Sequence, residues 1–238
     1  MRVRVELVAG RDADPDRTPR GWPRDARRLA AVVIDVLRAT TTLTVAFTNG
    51  ARRVVPVADP EQAFALKQRE PQALLCGERG GLKIPGFDLG NSPEEYRADV
   101  VGGRTLVFAS TNGSLAMLAC AGCGVRRLAA FVNAKAVVES LAGARFVLIA
   151  CAGGEGRFDL EDAACAGWIA RALEARGARL EGGAARLARA LAPADAAGVR
   201  ALLQGSFHGR ALRALGPAFA RDVEFCAQLD RYDRAFGY

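Results

Sequence analysis

The chain has 238 residues, 50% hydrophobic and 25% charged, a globular composition that excludes a largely disordered protein and leaves room for a substantial core. Its formal net charge of +7 comes mostly from scattered Arg, with only three Tyr and two Trp to stack on bases, so nucleic acid is not indicated as a partner. No run of about 18 apolar residues is present to span a membrane. Met1-Arg-Val-Arg-Val-Glu6 lacks the apolar core of a signal peptide, and the six Cys read as free thiols of a cytoplasmic protein.

Val3–Leu7 alternates and predicts a first strand. Residues 10–27 are rich in Arg, Asp and Pro and read as an exposed loop. Leu29-Ala-Ala-Val-Val-Ile34 is a continuous apolar run ending on Asp35, the pattern of a strand covered on both faces. Helical spacing over Thr40–Thr48 stops at Asn49-Gly50. Arg53–Val57 predicts a strand, Pro60–Arg69 a helix with Pro at its start, and Ala73–Cys76 a short strand. The order then recurs as strand Arg104–Ala109, helix Ser114–Ala121, strand Arg127–Phe131, helix Ala134–Leu141 and strand Arg145–Ala150. A long helix over Glu161–Arg176 follows, and the Ala/Arg/Leu-rich residues 181–215 read as helical.

Shifting the chain by 74 lays Gly50-Ala-Arg-Arg-Val on Gly124-Val-Arg-Arg-Leu, Val33 on Val107, Thr40 on Ser114 and Asp59 on Asn133. A duplicated βαβ unit explains the match; coincidence in a chain rich in Ala, Arg and Val is the alternative. The alternation predicts an α/β fold, layered α/β/α around a largely parallel or mixed sheet. One unit over residues 1–238 is expected, with similar halves of about 1–100 and 101–238.

Four segments combine glycine, hydroxyls and acids that packing does not require. In Asp35-Val-Leu-Arg38-Ala-Thr40-Thr41-Thr42, a carboxylate ends a buried strand, where α/β folds place ligands. Arg38 can bind phosphate or sulfonate bidentately, and Thr40 or Thr41 can cap a helix whose N–H groups suit an anion. Simple capping beside a surface Arg is the competing reading. Phosphatases of the haloacid dehalogenase superfamily carry DxDxT after their first strand, but Leu37 stands at the second Asp, so that match is poor.

Gly77-Glu78-Arg79-Gly-Gly81 leads to Pro85-Gly-Phe-Asp88-Leu-Gly-Asn91-Ser92-Pro93. Glycine allows close backbone approach to a ligand, and Glu78, Asp88 and Asn91 offer hard oxygens that suit Mg2+. A turn-rich loop with Ser92-Pro93 opening a helix accounts for the same residues. Ser110-Thr111-Asn112-Gly113-Ser114 either cradles a phosphate or caps a helix. It occupies the repeat position of Arg38–Thr41, so a true repeat would turn two strand ends toward one cleft. In Cys151-Ala-Gly153-Gly154-Glu-Gly-Arg157-Phe-Asp159-Leu-Glu161-Asp162, the acids either bind a cation or stabilise a helix start. Cys151 reads as structural rather than nucleophilic, because the only His, His208, lies in a helical stretch far along the chain. The same shortage of ligands makes Cys120-Ala-Gly-Cys123 a pair of small buried residues at a helix end rather than a zinc site. Without a His-rich metal centre, a carboxylate-held Mg2+ with Arg clamps remains.

Val33-Ile-Asp-Val-Leu-Arg-Ala-Thr-Thr-Thr42, Gly77-Glu-Arg-Gly80, Gly86-Phe-Asp-Leu-Gly-Asn-Ser-Pro93, Thr111-Asn-Gly113 and Asp159-Leu-Glu-Asp162 together resemble the 2-phosphosulfolactate phosphatase family. Ser206-Phe-His-Gly-Arg-Ala-Leu212 and Asp222-Val-Glu-Phe-Cys226 resemble its final segment, and the likeness runs from about Leu29 onward. Ser110 and Ser114 stand where the family carries Thr, which keeps the hydroxyls, and residues 181–203 match weakly. The resemblance implies hydrolysis of (2R)-2-phospho-3-sulfolactate to 3-sulfolactate and phosphate with Mg2+, a step of coenzyme M biosynthesis. The partner is then a small acidic phosphate ester, with no nucleic acid and no membrane; assembly into a homo-oligomer is left open. The expected catalytic residues are Asp35, Arg38, Glu78 and Asp88. Metal ligands are expected among Asp35, Glu78, Asp88, Asp159, Glu161 and Asp162. Substrate contacts are expected from Arg38, Thr40, Thr41, Arg79, Asn91, Ser92, Thr111, Asn112, Gly113 and Gly153. Asp35 either attacks phosphorus or holds the metal while water attacks; the missing DxDxT acid favours the second.

Overall fold

The structure, a computed structural model, describes residues 1–9 and 21–238, so most of the expected loop over residues 10–27 lies outside the described residues. Alternation makes β1 (Arg2–Glu6) half-buried, with Val3 and Val5 turned inward. β2 (Ala30–Ile34) is buried at every position, as its unbroken apolar run requires. α1 (Ala39–Thr48), β3 (Arg53–Pro56), α2 (Pro60–Arg69) and β4 (Leu74–Arg79) follow. After a short β5 (Leu82–Lys83) and α3 (Ala98–Val101), the order repeats as β6 (Thr105–Ala109), α4 (Gly113–Ala119), β7 (Val125–Ala129), α5 (Ala134–Ser140) and β8 (Phe146–Cys151). The chain continues through α6 (Leu160–Ala175), β9 (Arg179–Glu181), α7 (Gly182–Leu191), α8 (Ala196–Gly205), α9 (Phe207–Ala214) and α10 (Pro217–Cys226). No helix among the described residues is long and apolar enough to cross a membrane.

The layered α/β class is the one the sequence pattern predicts, and the strands are nearly all parallel. Their arrangement adds a feature that the pattern did not carry: there are two sheets. The first, β7-β2-β8-β1-β9, is parallel throughout. In the second, β3-β6-β4-β5, only the β4–β5 pairing is antiparallel. The connectivity is crossed. Val32 of β2 pairs with Arg127 of β7 and Ile149 of β8, while Leu106 of β6 pairs with Val54 of β3 and Leu74 of β4. Each β-α-β-α-β run therefore places its first strand between the second and third strands of the other run.

Side chains of β2 divide between two cores. Ala30, Val32 and Ile34 pack with Val137 of α5 and Ile169 and Leu173 of α6. Ala31 and Val33 meet Leu43 of α1 and Met117 of α4, which also contact Val54, Leu106 and Phe108 of the second sheet. The far face of that sheet packs Leu75, Val107 and Ala109 against Ala63 of α2. The layers thus run α/β/α/β/α, with α1 and α4 between the sheets. Burial on all sides explains how a helix so rich in Thr is tolerated. Thr41 Oγ1 donates to Val36 O (2.9 Å), Thr42 Oγ1 to Asn91 O (2.9 Å) and Thr44 Oγ1 to Thr40 O (2.7 Å), so no hydroxyl is buried without a partner.

β4 lies this close to β6 because residue 77 is glycine. Its φ is +140°, and a Cβ there would come within 1.8 Å of Ala109 O, a backbone atom that no rotamer change can move. Gly77→Ala is expected to destabilise the protein by about 2–4 kcal/mol, measured as a fall in urea midpoint at unchanged m-value. A midpoint equal to that of the wild type would show that the two strands are not held at this separation.

Candidate active site

The C-terminal ends of β2, β4, β6 and β8 open on one cleft of about 510 Å³, at the edge where parallel α/β sheets place ligands. Asp35 follows β2. Its N–H donates to Thr40 Oγ1 (3.0 Å), and its Oδ1 accepts from Ala39 N–H at the start of α1 (3.1 Å). Oδ2 faces α4, where a Cβ on Gly113 would lie only 2.4 Å away. The two helices of the middle layer therefore meet, N-terminus to N-terminus, around this carboxylate. Burial pushes the Asp35 carboxyl up to about 6; Ala39 N–H and His208 oppose the rise, and Glu78 and Asp159 add to it.

Two tight turns flank the carboxylate. Gly80 and Gly81, with φ of +59° and +83°, are the paired left-handed positions of the hairpin joining β4 to β5. Glu78 ties this hairpin to the loop after β6: its Oε2 accepts from Gly81 N–H and its Oε1 from Thr111 N–H, both at 2.8 Å. Glu155 and Gly156, with φ of +50° and +79°, form a similar turn after β8, closed by reciprocal bonds of 2.9 Å between Gly154 and Arg157. Asn112 Oδ1 accepts from Glu155 N–H (3.1 Å), and the turn presents Arg157 and Phe158 to the cleft.

Arg38 lines the cleft yet is only 4% exposed. Its Nη1 donates to Asp222 Oδ2 (2.6 Å), its Nη2 donates to Gly81 O (2.5 Å), and the guanidinium lies 5.1 Å from the Phe219 ring centre. Ser92 Oγ donates to the other oxygen of Asp222 (2.6 Å). The network binds the β2–α1 loop and the hairpin to α10.

α9 closes the remaining side. Ser206 Oγ caps it by accepting from Gly209 N–H (2.9 Å), and Gly209 lets it press on α8, where a Cβ would meet Leu203 O at 1.8 Å. This sets His208 Nδ1 3.3 Å from Glu161 Oε1 and 3.8 Å from Asp159 Oδ2, at the start of α6. Asp159, Glu161 and His208 can each offer a ligand atom, all within 4.8 Å of one another. Glu161 Oε1 is buried and has no hydrogen-bond partner among the described residues, which suits a bound cation. Burial raises the Asp159 carboxyl, and neighbouring Glu161 adds to the rise against the pull of His208. Burial alone would lower His208, but Glu161, Asp35 and Asp159 outweigh it, and its pKa rises above the ordinary 6.5.

The sequence profile of the 2-phosphosulpholactate phosphatase family matches residues 16–236, a span that contains every residue of this cleft. The chain belongs to this family. A protein from Carboxydothermus hydrogenoformans named probable 2-phosphosulfolactate phosphatase is 42% identical over 215 residues, covering 88% of this chain and 86% of its own length. Proteins of the same name from Deinococcus radiodurans (43% over 237 residues, 96% and 90% covered) and Thermotoga petrophila (41% over 202 residues, 85% and 86% covered) are similar to it as well.

Of the residues that the family resemblance marks, Asp35, Arg38, Glu78, Asn91, Thr111, Asn112 and Asp159 line the cleft. Glu161 stands behind them, in reach of His208. Gly113 and Gly153 shape the backbone; Gly153 has φ +63°, and a Cβ there would meet Arg157 O at 2.2 Å. Asp162 joins two loops instead of facing a ligand: its Oδ1 accepts from Val36 N–H (2.8 Å) and its Oδ2 from Gly153 N–H (3.1 Å). Burial pushes its carboxyl well above the usual range. Thr40 and Thr41 are in the core, with hydroxyls bonded to carbonyls such as Ala129 O and Val36 O. Ser92 is engaged by Asp222, and Arg79 donates to Glu78 O and Ala58 O without lining the cleft. Asp88 is not brought in: it is exposed beside α2, its Oδ2 accepting from Leu75 N–H (2.8 Å) and pairing with Lys67 Nζ (3.5 Å). Cys151 is buried, and burial holds its thiol well above the ordinary range, in keeping with a structural role. His208, Asp222, Arg157 and the apolar side chains on α9 complete the site without having been assigned to it from sequence. The Ser206-Phe-His-Gly string and Asp222-Val-Glu were the available signal.

Removing one partner of the Arg38–Asp222 pair leaves a buried charge alone. Asp222→Ala is expected to cost about 3–5 kcal/mol, and the double change Arg38→Met/Asp222→Leu distinctly less. Thermal unfolding of both variants checks this, and an Asp222→Ala protein that melts like wild type would mean that Arg38 reaches water. The Asp35 carboxyl, ordinarily at 3.8 and held at about 6 here, keeps its proton more tightly folded than unfolded. Its contribution is complete below about pH 4 and is lost as pH rises through about 6, worth at most about 3 kcal/mol. Urea unfolding of metal-free protein should therefore show wild type losing stability relative to Asp35→Asn across that window; parallel curves would rule out the raised carboxyl.

Proposed function

We propose that this member of the family is a phosphoric monoester hydrolase that converts (2R)-2-phospho-3-sulfolactate and water to 3-sulfolactate and phosphate. The observation that carries the reading is the convergence of Asp35, Asp159 and His208 on one cleft at the strand ends, with Glu161 beside His208 just behind its lining. The name shared by its relatives points to the same ester.

Asp159, Glu161 and His208 would hold a divalent cation, and Asp35 is near enough to interact electrostatically with two of them. Of the other acids marked as ligands, Glu78 and Asp162 already hold backbone N–H groups and Asp88 lies elsewhere. The oxygen-rich set favours Mg2+, which would neutralise charge on the phosphoryl group when bound. Asp35 holds the attacking water at Oδ2 and takes its proton there, a role served by a carboxyl pushed up to about 6. Arg157, whose guanidinium has no partner among the described residues, reaches the phosphate oxygens. Arg38, fixed by Asp222, adds a positive charge that needs no reordering when the ester binds.

Phosphate release from the purified protein is expected with Mg2+, absent in excess chelator, and restored on adding Mg2+ back. Asp35→Asn should fold yet lose about two to three decades in kcat, the loss expected for one charged contact made in the transition state. Turnover undiminished by chelator would sink the metal. Wild-type rates in Asp35→Asn would move the base elsewhere, and no hydrolysis of any ester by folded, metal-supplied protein would remove the enzyme reading.

A further inference from the structure

At the end of α4 that points away from the cleft, two thiols are brought together. Cys120 is the C-cap of α4, and Cys123 N–H donates to Cys120 O (3.0 Å), so residues 120–123 close a hydrogen-bonded turn. Such a turn keeps its first and last Cα atoms within about 7 Å, and a disulfide bridges Cα atoms about 4.4–6.8 Å apart. The two side chains share a hydrogen bond, so the sulfurs face each other. The sequence reads both as small buried residues. That holds for Cys120, which is 2% exposed, and is corrected for Cys123, which is half-buried, with Ala121, Gly122 and Gly124 exposed around it.

The two thiols are not equivalent. The hydrogen bond from Cys120 lowers the Cys123 thiol, and Arg126 adds to the fall, against burial and Glu6. The same bond raises the Cys120 thiol, with burial and the charge on Cys123 acting in the same direction. A further titratable neighbour is Tyr238, whose Oη donates to Met117 O (2.9 Å) in the last turn of α4 and whose ring lies 5.1 Å from the Arg126 guanidinium. Cys76, Cys151, Cys165 and Cys226 are buried, and burial raises each of their thiols. Thiolate character and access therefore coincide at Cys123, and the thiol placed to follow it is Cys120.

We propose that Cys123 and Cys120 form a thiol–disulfide exchange site, with Cys123 as the attacking thiolate, Cys120 as the resolving thiol and a low-molecular-weight disulfide as the oxidant. The Cys123 thiolate attacks one sulfur of the small disulfide. That S–S bond breaks, and one small thiol leaves as a thiolate and takes up the proton that Cys123 gave up. The mixed disulfide removes the thiolate that accepts from Cys120 and so frees that proton. Cys120 then loses it, attacks Sγ of Cys123 and releases the second small thiol. Two protein thiols are oxidised to one disulfide, and one small disulfide is reduced to two thiols. The step uses no residue of the cleft and is independent of the phosphatase reading.

The test treats the full-length, fully reduced protein with oxidised glutathione under native conditions. The reaction is quenched in acid, free thiols are alkylated in denaturant, and intact mass and a peptide map are recorded. Wild type is expected to lose two of its six free thiols, to retain no glutathione and to show a Cys120–Cys123 cross-link that dithiothreitol reverses. Cys120→Ser is expected to accumulate glutathione on Cys123. In Cys123→Ser the remaining thiols should react at least about tenfold more slowly than Cys123 does in wild type. Thermal melts verify that the variants fold, and if either does not, the wild-type cross-link and its reversal decide. Six thiols surviving in wild type, while a cysteine-containing peptide in the same tube is consumed, overturns the proposal. So does glutathione retained on Cys123 in wild type, a cross-link to any other cysteine, or a folded Cys123→Ser protein that reacts as fast as wild type.

Discussion

Asp35 sits where it does because residue 113 has no side chain. A Cβ at that position would intrude to 2.4 Å from Asp35 Oδ2 and 2.6 Å from Ala39 Cβ, so any other residue would push α4 away from α1. Those helices are the layer that both sheets share. Their spacing sets the distance between the sheets, and with it the width of the cleft onto which the strand ends open. The positive ends of both helices point at the carboxylate and favour its charged form. Burial opposes them and prevails, since the carboxyl is held near 6 even with Ala39 N–H bonded to it.

Around that point, polar side chains act as clips between loops that have no secondary structure of their own. Glu78 holds the hairpin to the β6–α4 loop, Asp162 holds the β2–α1 loop to the β8–α6 loop, and Asp222 holds Arg38 and Ser92 to α10. Every clip uses an acid in a segment where acids also serve chemistry. Asp35, Asp159 and Glu161 retain carboxylate oxygens not occupied by a backbone N–H group, and they lie beside one imidazole. The result is a braced frame around a cleft lined by acids and cations together.

Much of this was legible in the residues. β2 had to be a strand covered on both faces, because five consecutive apolar residues left no polar side. α2 announced its start through Pro60, and Asp59 does accept from Gln62 N–H there. The glycines of residues 77–81 were visible as a special backbone; that they finish a strand and turn a hairpin, instead of forming a loop, follows from positive φ at Gly80 and Gly81 together with the close pass of Gly77 over Ala109. Other features had no local signature. Asp88 looked like its neighbours in an acid-bearing loop, yet its carboxylate accepts from Leu75 N–H on the outer side of the second sheet. Arg38 read either as a clamp for phosphate or sulfonate or as a surface Arg, and its burial against Asp222 was hidden because that partner lies 184 positions further on. His208 was discounted for its distance along the chain, which the fold of α8 and α9 reverses. The division into two sheets was hidden for a similar reason: parallel neighbours are chosen across connections, and strand composition does not record which sheet a strand enters.

The crossed connectivity has a consequence for how such a protein comes into being. When β3 and β4 leave the ribosome, the strand that must separate them has not been made, and β2 has neither of its final neighbours, since Ala30 pairs with Val125 and Val147. The first half of the chain thus emerges with edges that can be satisfied only by the second, and the cleft has no early, partial form. Folding waits on distant pairings, which makes it slow and leaves apolar strands uncovered meanwhile. The interlocking that ties the catalytic edge of one sheet to the other thereby creates a period in the life of each newly made molecule when strands such as Leu74–Cys76 are open to the wrong partner.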